Sequence, residues 1–314
     1  MGLLEVLFQP TRVATFVCGV AFALLVFQAI EDGTGKEHRV KTNEGAEKSS
    51  AEGKESQRPS NFVWTPTKNL GLNLDGIKSV IIEVGTNNNA DTRDMAIRRP
   101  DALLLLFEPL TVLPAHQNGC RGMERRCSLI TAAVSNTNSL ATFRIGVGTR
   151  CSSLMSKGTG CGRGVGNIVV PTLTLDSILD ELPADLPIEL LMVDAQGTDF
   201  YALAGLKRHH KRIANLIFEC QDLARGNKLF IYDKEKTKTC SEIVSCVQKF
   251  YGMEYVGSSF NMPHVREMNA LMVQQGHPLA NVNIRHPRMS DSFNKTDTLL
   301  TRGVYPCPEA DWTA

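Results

Sequence analysis

Five short apolar runs constrain this chain more than any other feature. They are Ser79–Val84 (SVIIEV), Ala102–Phe107 (ALLLLF), Leu129–Val134 (LITAAV), Ile188–Val193 (IELLMV) and Leu216–Phe218 (LIF). Near-continuous apolar strands of this kind belong in a parallel sheet covered on both faces. Between them the period changes. Leu175, Ile178, Leu179 and Leu182 fall at i, i+3, i+4 and i+7, the stripe of an amphipathic helix. Thr239 and Glu242 form a capping box ahead of Ile243, Val244, Val247, Phe250 and Tyr251, and Gly252 stops that helix. Alternating strand and helix signals predict a doubly wound α/β sheet. Two last strands, Met253–Val256 and Ala270–Val273, have only a loop of about thirteen residues between them, so they pair antiparallel and the sheet is mostly parallel with a mixed ending.

The remainder of the 314 residues reads as appendages to one domain. After a short N-terminal tail (1–12), Val13 to Ile30 carries eighteen residues without a charge, enough to span a bilayer as a signal anchor. A signal peptide cleaved near Phe27-Gln28-Ala29 is the alternative, which would leave a secreted protein. Residues 31–68 are rich in Lys, Glu, Gly and Ser and read as a flexible stem. The folded domain is expected over 69–285, and 286–314 reads as a C-terminal tail. Lys36, Arg39 and Lys41 follow the span and favour a cytoplasmic domain, whereas Arg12 precedes it. Eight of the nine cysteines lie beyond the span, an even number that suits an oxidising lumen, and Asn294-Lys295-Thr296 is a glycosylation sequon. The expectation is therefore a single-pass protein of the Golgi or endoplasmic reticulum with a luminal domain. A formal net charge of +1 argues against a nucleic-acid partner.

Ligands of open α/β sheets sit beyond the carboxyl ends of the strands. The first strand runs into Glu83, Gly85, Thr86 and Asn87, where Gly85 permits close backbone approach to a ligand. The second ends in Glu108, able to accept both hydroxyls of a ribose. The third leads to Ser135-Asn136, the fourth to Asp194-Ala195-Gln196-Gly197, and the fifth to Glu219. A turn glycine or a helix-capping carboxylate explains each singly; the series on successive strands is harder to explain that way. The basic run Lys207–Arg212 reads as a solvated helix end, and the glycine-rich Gly158–Gly166 as a surface or lid loop. No CxxC or HExxH motif supports a metal site, and the spacing of Cys120 and Cys127 suits a local disulfide. An NAD-dependent oxidoreductase would want GxGxxG after the first strand, which is absent.

The pieces IIEVGTN (Ile81–Asn87), LLFEPL (Leu105–Leu110), AAVSN (Ala132–Asn136), VPTLTLDSIL (Val170–Leu179), LLMVDAQGTDFYALAGL (Leu190–Leu206) and LIFE (Leu216–Glu219) together resemble the FkbM-type methyltransferases. These are a branch of the class I, Rossmann-like fold that uses S-adenosyl-L-methionine. The resemblance implies that Glu83 and Gly85 shape the loop around the methionine part of the cofactor, with N–H groups from Thr86 and Asn87 onward meeting its carboxylate. Glu108 would hold the ribose, Ser135 and Asn136 would lie beside the adenine, and Asp194 would face the sulfonium and the acceptor. It also implies O-methylation, with a glycan or a small secretory-pathway molecule as the acceptor. Asp194 and Asp199 are the candidate catalytic residues, with Glu219 and His264 as further possible bases. The chain departs from the family pattern at Asn87–Ala90, where a second glycine is frequent, at Met192 in place of a lysine, and at Gln196 in place of a glutamate. Those departures motivate a second hypothesis, a non-catalytic binding protein that retains the fold.

Overall fold

A computed structural model describes residues 74–111, 118–146, 151–155, 164–221, 237–262, 267–281, 284 and 306–313. The anchor, the stem, His264 and the sequon lie outside the described residues, and no helix among the described residues is long and apolar enough to cross a membrane.

The main sheet has seven strands: β1 (Ser79–Val84), β2 (Ala102–Phe107), β3 (Cys127–Ile130), β7 (Ile188–Val193), β8 (Asn215–Gln221), β9 (Glu254–Met262) and β10 (Glu267–Val273). Their order is β3-β2-β1-β7-β8-β10-β9. The first five are mutually parallel, and β10 enters antiparallel to both β8 and β9. Successive residues of these strands point to opposite faces, and both faces are filled. Val80, Ile82, Leu103, Leu105 and Phe107 join one core cluster, which takes in α2 (Leu175–Leu179), α3 (Asp199–Ala204) and α4 (Cys240–Cys246). Ile81, Leu104, Leu106, Leu190 and Met192 join the other, with Ala96 of α1 (Arg93–Arg98). This is the doubly wound arrangement that apolar runs demand. Thr174 caps α2 by accepting the N–H of Ser177, and α4 begins with the capping box of Thr239 and Glu242. Gly252 ends the turn after α4 with φ of 66°.

The third expected strand, Leu129–Val134, is divided. Its first half belongs to β3, while Ala133–Val134 is β4 of a second sheet, in the order β4-β6-β5. The partners β5 (Ser139–Ile145) and β6 (Gly166–Leu173) carried no strand signal, because each is largely exposed over its first four residues and buried only toward its end, which gives neither a continuous apolar run nor a clean alternation. Phe143 and Val170 nonetheless pack with Ala133 and Leu110, which docks this small sheet beside the end of β2. The last two strands do pair antiparallel, but they extend farther than Met253–Val256 and Ala270–Val273, leaving only residues 263–266 between them instead of about thirteen.

Within the stretch read as a C-terminal tail, α5 (Glu309–Thr313) places Trp312, 6% exposed, against Phe200, Phe250 and Tyr251. Cys307 is joined to Cys246 of α4, Cys220 to Cys240, and Cys120 to Cys127 as the spacing suggested. The run Lys207–Arg212 forms a 3₁₀ turn whose Arg212 donates to the carbonyls of Leu179, Pro183 and Leu186. That arginine is a tether for the chain after α2 rather than a solvated helix end.

Candidate functional site

The β1 turn is built by a buried acid and a glycine. Glu83 is fully buried and accepts the N–H of Asp91 (2.9 Å), the N–H of Thr92 (2.7 Å) and the Thr92 hydroxyl (2.6 Å). It thereby folds the loop Gly85–Ala90 back onto the strand that launched it. Burial, and then the nearby charge of Asp91, pushes its pKa up to about 7. Gly85 has φ of 84°, and a Cβ there would lie 1.9 Å from the Asp194 carbonyl oxygen. This glycine is required by the close approach of the neighbouring strand end. The N–H groups of Gly85 and Thr86 both donate to the Phe107 carbonyl, and the N–H of Asn87 donates to Glu108. Two N–H groups expected to meet a cofactor carboxylate are therefore committed within the protein. Thr86 is fully buried, and its Oγ1 has no hydrogen-bond partner among the described residues.

Glu108 follows β2 directly. Its Oε2 accepts from Asn87 N (2.8 Å) and its Oε1 from Leu110 N (2.9 Å). Both oxygens are oriented by backbone donors. Burial raises its pKa, opposed by these two N–H donors, and Asp194 adds a smaller upward push. Across the β1 turn, Asp194 follows β7, donates its own N–H to Val84, and accepts the Gln196 amide at 2.5 Å. The same Gln196 Nε2 donates to Glu219 Oε2 at 3.1 Å. Gln196 holds φ of 52° to do so. One amide, with two N–H donors, therefore bridges two acidic side chains at the ends of adjacent strands, a task that a glutamate in this place could not perform, since even its protonated form has a single O–H.

The polar row continues along the sheet. Glu219 stands opposite Asn269 of β10, and Asn269 opposite Ser259 of β9, all three buried. Directly opposed residues of an antiparallel pair share a face, so these side chains extend the Asp194–Gln196–Glu219 rim. Asn269 and Ser259 were missed at the sequence level, because the strands were drawn too short to place them in register.

Asp199 stands at the start of α3 and is 3% exposed. Its two oxygens accept the N–H groups of Ala195 (3.0 Å) and Gly197 (3.1 Å). Burial, followed by the charge of Asp194, pushes its pKa up to about 8. Its carboxylate shapes the turn that presents Asp194 and Gln196. Ser135 donates its N–H to Leu173, and its carbonyl lies so close to Gly205 that a Cβ there would come within 2.2 Å. Ser135 and Asn136 thus sit where β4 meets the end of α3, with the Ser135 hydroxyl 3.4 Å from Asn136 Oδ1. A further residue reaches the site from the small sheet. Ser153, fully buried, donates its hydroxyl to the Gln196 carbonyl at 2.7 Å. No group of metal-ligating side chains is found among the described residues.

A seven-stranded sheet in this order, with β10 inserted antiparallel and acids closing β2 and β7 on either side of a glycine turn, defines a class I methyltransferase fold. Residues 83–231 match the family model described as the methyltransferase FkbM domain. Among solved structures, the chain is similar to the 16S rRNA (adenine(1408)-N(1))-methyltransferase of Catenulisporales acidiphilia, at 13% identity and a TM-score of 0.31, over 64% of this chain and 86% of that one. It is similar to the N-methyltransferase NodS of Bradyrhizobium japonicum WM9, at 11% identity and 0.32, over 65% and 90%. The 1,6-didemethyltoxoflavin-N1-methyltransferase of Burkholderia thailandensis matches at 10% identity and 0.32, over 64% and 72%. Two further structures are spanned over about half of their length. Comparison with curated proteins yields no match.

Proposed function

We propose that this domain transfers the methyl group of S-adenosyl-L-methionine to a hydroxyl of a glycan or a small secretory-pathway molecule. The observation that carries this reading is the pair Glu108 and Asp194, set on either side of the Gly85 turn. The site fits the cofactor at its ribose end: Glu108 is an acidic acceptor whose two oxygens are oriented by backbone N–H groups, the chemistry that two vicinal hydroxyls require. Thr86 Oγ1, buried and unpartnered among the described residues, adds a polar atom at the same turn. The cofactor supplies an electrophilic methyl on a sulfonium. What the protein adds is alignment, which contributes much of the rate in a displacement of this kind. In this reading Asp194 orients the acceptor hydroxyl and takes its proton, while Gln196 and Glu219 hold that carboxylate in place. Asp199 acts through the turn it supports.

Calorimetry on the full chain tests the reading. Micromolar binding of S-adenosyl-L-methionine is expected, weakened at least ~10-fold in Glu108→Gln, since the loss of a charged hydrogen-bond acceptor costs ~1.5–3 kcal/mol. No binding at millimolar cofactor would overturn it. A binding protein without turnover is the second reading, supported by the commitment of the Thr86 and Asn87 N–H groups. Formation of S-adenosylhomocysteine with a glycan extract would eliminate that alternative. We also propose that the domain faces the lumen behind an anchor at 13–30. The three disulfides placed among the described residues support this reading, because such bonds persist in oxidising compartments. Digestion of the domain by protease added outside intact microsomes would refute it.

A further inference from the structure

Arg144 lies in β5 and is 8% exposed. Its Nε and Nη2 are shielded from water and have no hydrogen-bond partner among the described residues. Taking a guanidinium out of water without an anion is costly, and proteins retain such groups chiefly where a ligand completes them.

Its position says which ligand. Arg144 and Ser153 exchange both backbone hydrogen bonds, Arg144 N to Ser153 O at 2.8 Å and Ser153 N to Arg144 O at 3.0 Å. Residues paired in this way carry their side chains on the same face of the ladder. Ser153 uses that face to reach the Gln196 carbonyl, so the Arg144 side chain leaves β5 on the face that Ser153 turns toward the Asp194–Gln196 turn. The stem is held: a Cβ on Gly164 would come within 3.0 Å of Arg144 Cγ. On the opposite face, Phe143 and Ile145 pack with Leu110, two residues after Glu108, which fixes β5 to the cofactor side of the rim.

We infer that Arg144 receives an oxyanion carried by the methyl acceptor, a carboxylate in the first instance, while the acceptor's hydroxyl meets Asp194. This rests on the methyltransferase reading of the rim. The planar fork of arginine matches a carboxylate in two parallel hydrogen bonds. A bare anion would otherwise be repelled by Asp194 and Glu219, so the cation defines where the charge is accepted and the carboxylates define where the hydroxyl is. An acid sugar satisfies both requirements.

The test uses the full chain with glucuronate and glucose as matched charged and neutral probes, followed by calorimetry and thermal melting. Wild type binds glucuronate ~30-fold or more tightly than glucose, and Arg144→Gln loses that preference, because removing one partner of a buried charge pair has this size of effect. Arg144→Lys keeps part of it. In anion-free buffer Arg144→Gln melts no lower than wild type, since it removes an uncompensated charge. A lower Tm with the glucuronate preference intact would overturn the inference and make Arg144 structural. S-adenosylhomocysteine affinity stays unchanged in Arg144→Gln. A tenfold fall there would assign the guanidinium to the cofactor's own carboxylate and overturn the acceptor assignment. Glucuronate binding through Arg144 in a wild-type chain that binds no S-adenosylhomocysteine would remove the methyltransferase reading and leave the anion site standing.

Discussion

Replacing Gly85 by alanine tests whether the β1 turn is dictated by the neighbouring strand, and Gly252 supplies the control. Both glycines have left-handed backbones, φ of 84° and 66°. A Cβ on Gly252 meets nothing within 4 Å, whereas on Gly85 it would lie 1.9 Å from the carbonyl oxygen of Asp194. Gly252→Ala therefore carries only the conformational cost, ~1–2 kcal/mol. Gly85→Ala adds the displacement of a buried backbone by more than an ångström, and forced repacking of that kind costs ~1–3 kcal/mol. The sum is ~2–5 kcal/mol, a large part of the ~5–15 kcal/mol that holds an ordinary domain together. Urea denaturation of the two variants gives the difference directly, free of the shared φ contribution. Because the displaced atom belongs to Asp194, Gly85→Ala should also lose methyl transfer in excess of its loss of fold, while Gly252→Ala keeps it. Equal destabilisation of the two variants would refute the argument.

Gln196→Glu would place a third carboxylate between Asp194 and Glu219; a loss of ~1–3 kcal/mol is expected near pH 8, shrinking at pH 5 where the new acid can be protonated and donate, and an equal loss at both pH values would count against the amide bridge. Glu83 and Asp199 have pKa values raised to about 7 and about 8, so the folded protein holds their protons more tightly than the unfolded chain does. Their stabilisation is fully present below about pH 4 and is lost as the pH rises through those values. Urea midpoints should fall from pH 5 to pH 8.5, and Asp199→Asn should flatten the upper part of that decline; an unchanged slope would remove Asp199 as its source. Loss of the Cys220–Cys240 disulfide, with a sequence separation of 20, should cost about 3 kcal/mol by loop entropy. Loss of Cys246–Cys307, with a separation of 61, should cost about 4 kcal/mol. Denaturation of the double-alanine variants checks both, and losses below ~1 kcal/mol would show that these bonds constrain little.

The strands β1, β2 and β7 were legible to the residue because each is buried on both faces, and an unbroken apolar run has no other home in a sheet of this kind. The small sheet was illegible for the opposite reason. Leu140 and Val169 are more than half exposed, so β5 and β6 show neither an apolar face nor a clean period. Site legibility divided the same way. Glu108 and Asp194 were visible from their places at strand ends, which is a property of chain order. What surrounds them was not: Ser153 arrives from another sheet, and Asn269 and Ser259 arrive through register. The docking of Trp312 had no local signal either, since one tryptophan in a polar segment does not announce its partners. Glu83 shows the converse, a residue visible at a strand end whose carboxylate accepts three hydrogen bonds from its own loop, a task the sequence does not announce.

The insertion of β10 between β8 and β9 has a consequence for how this protein is made. A ribosome delivers β9 before β10, yet β9 touches the sheet only through β10. From the emergence of β8 until Val273 has left the exit tunnel, the growing sheet therefore ends in an open edge, and roughly fifty further residues must be synthesised, a matter of ~3–10 s at usual rates. The link from Cys246 to Cys307 can close only after that, since Cys307 follows β10 in the chain. A chain cut short before β10 would retain most of its apolar runs and expose the edge where Glu219 stands. The rim is therefore complete only once β10 has been delivered, and a copy cut short before it carries no finished site.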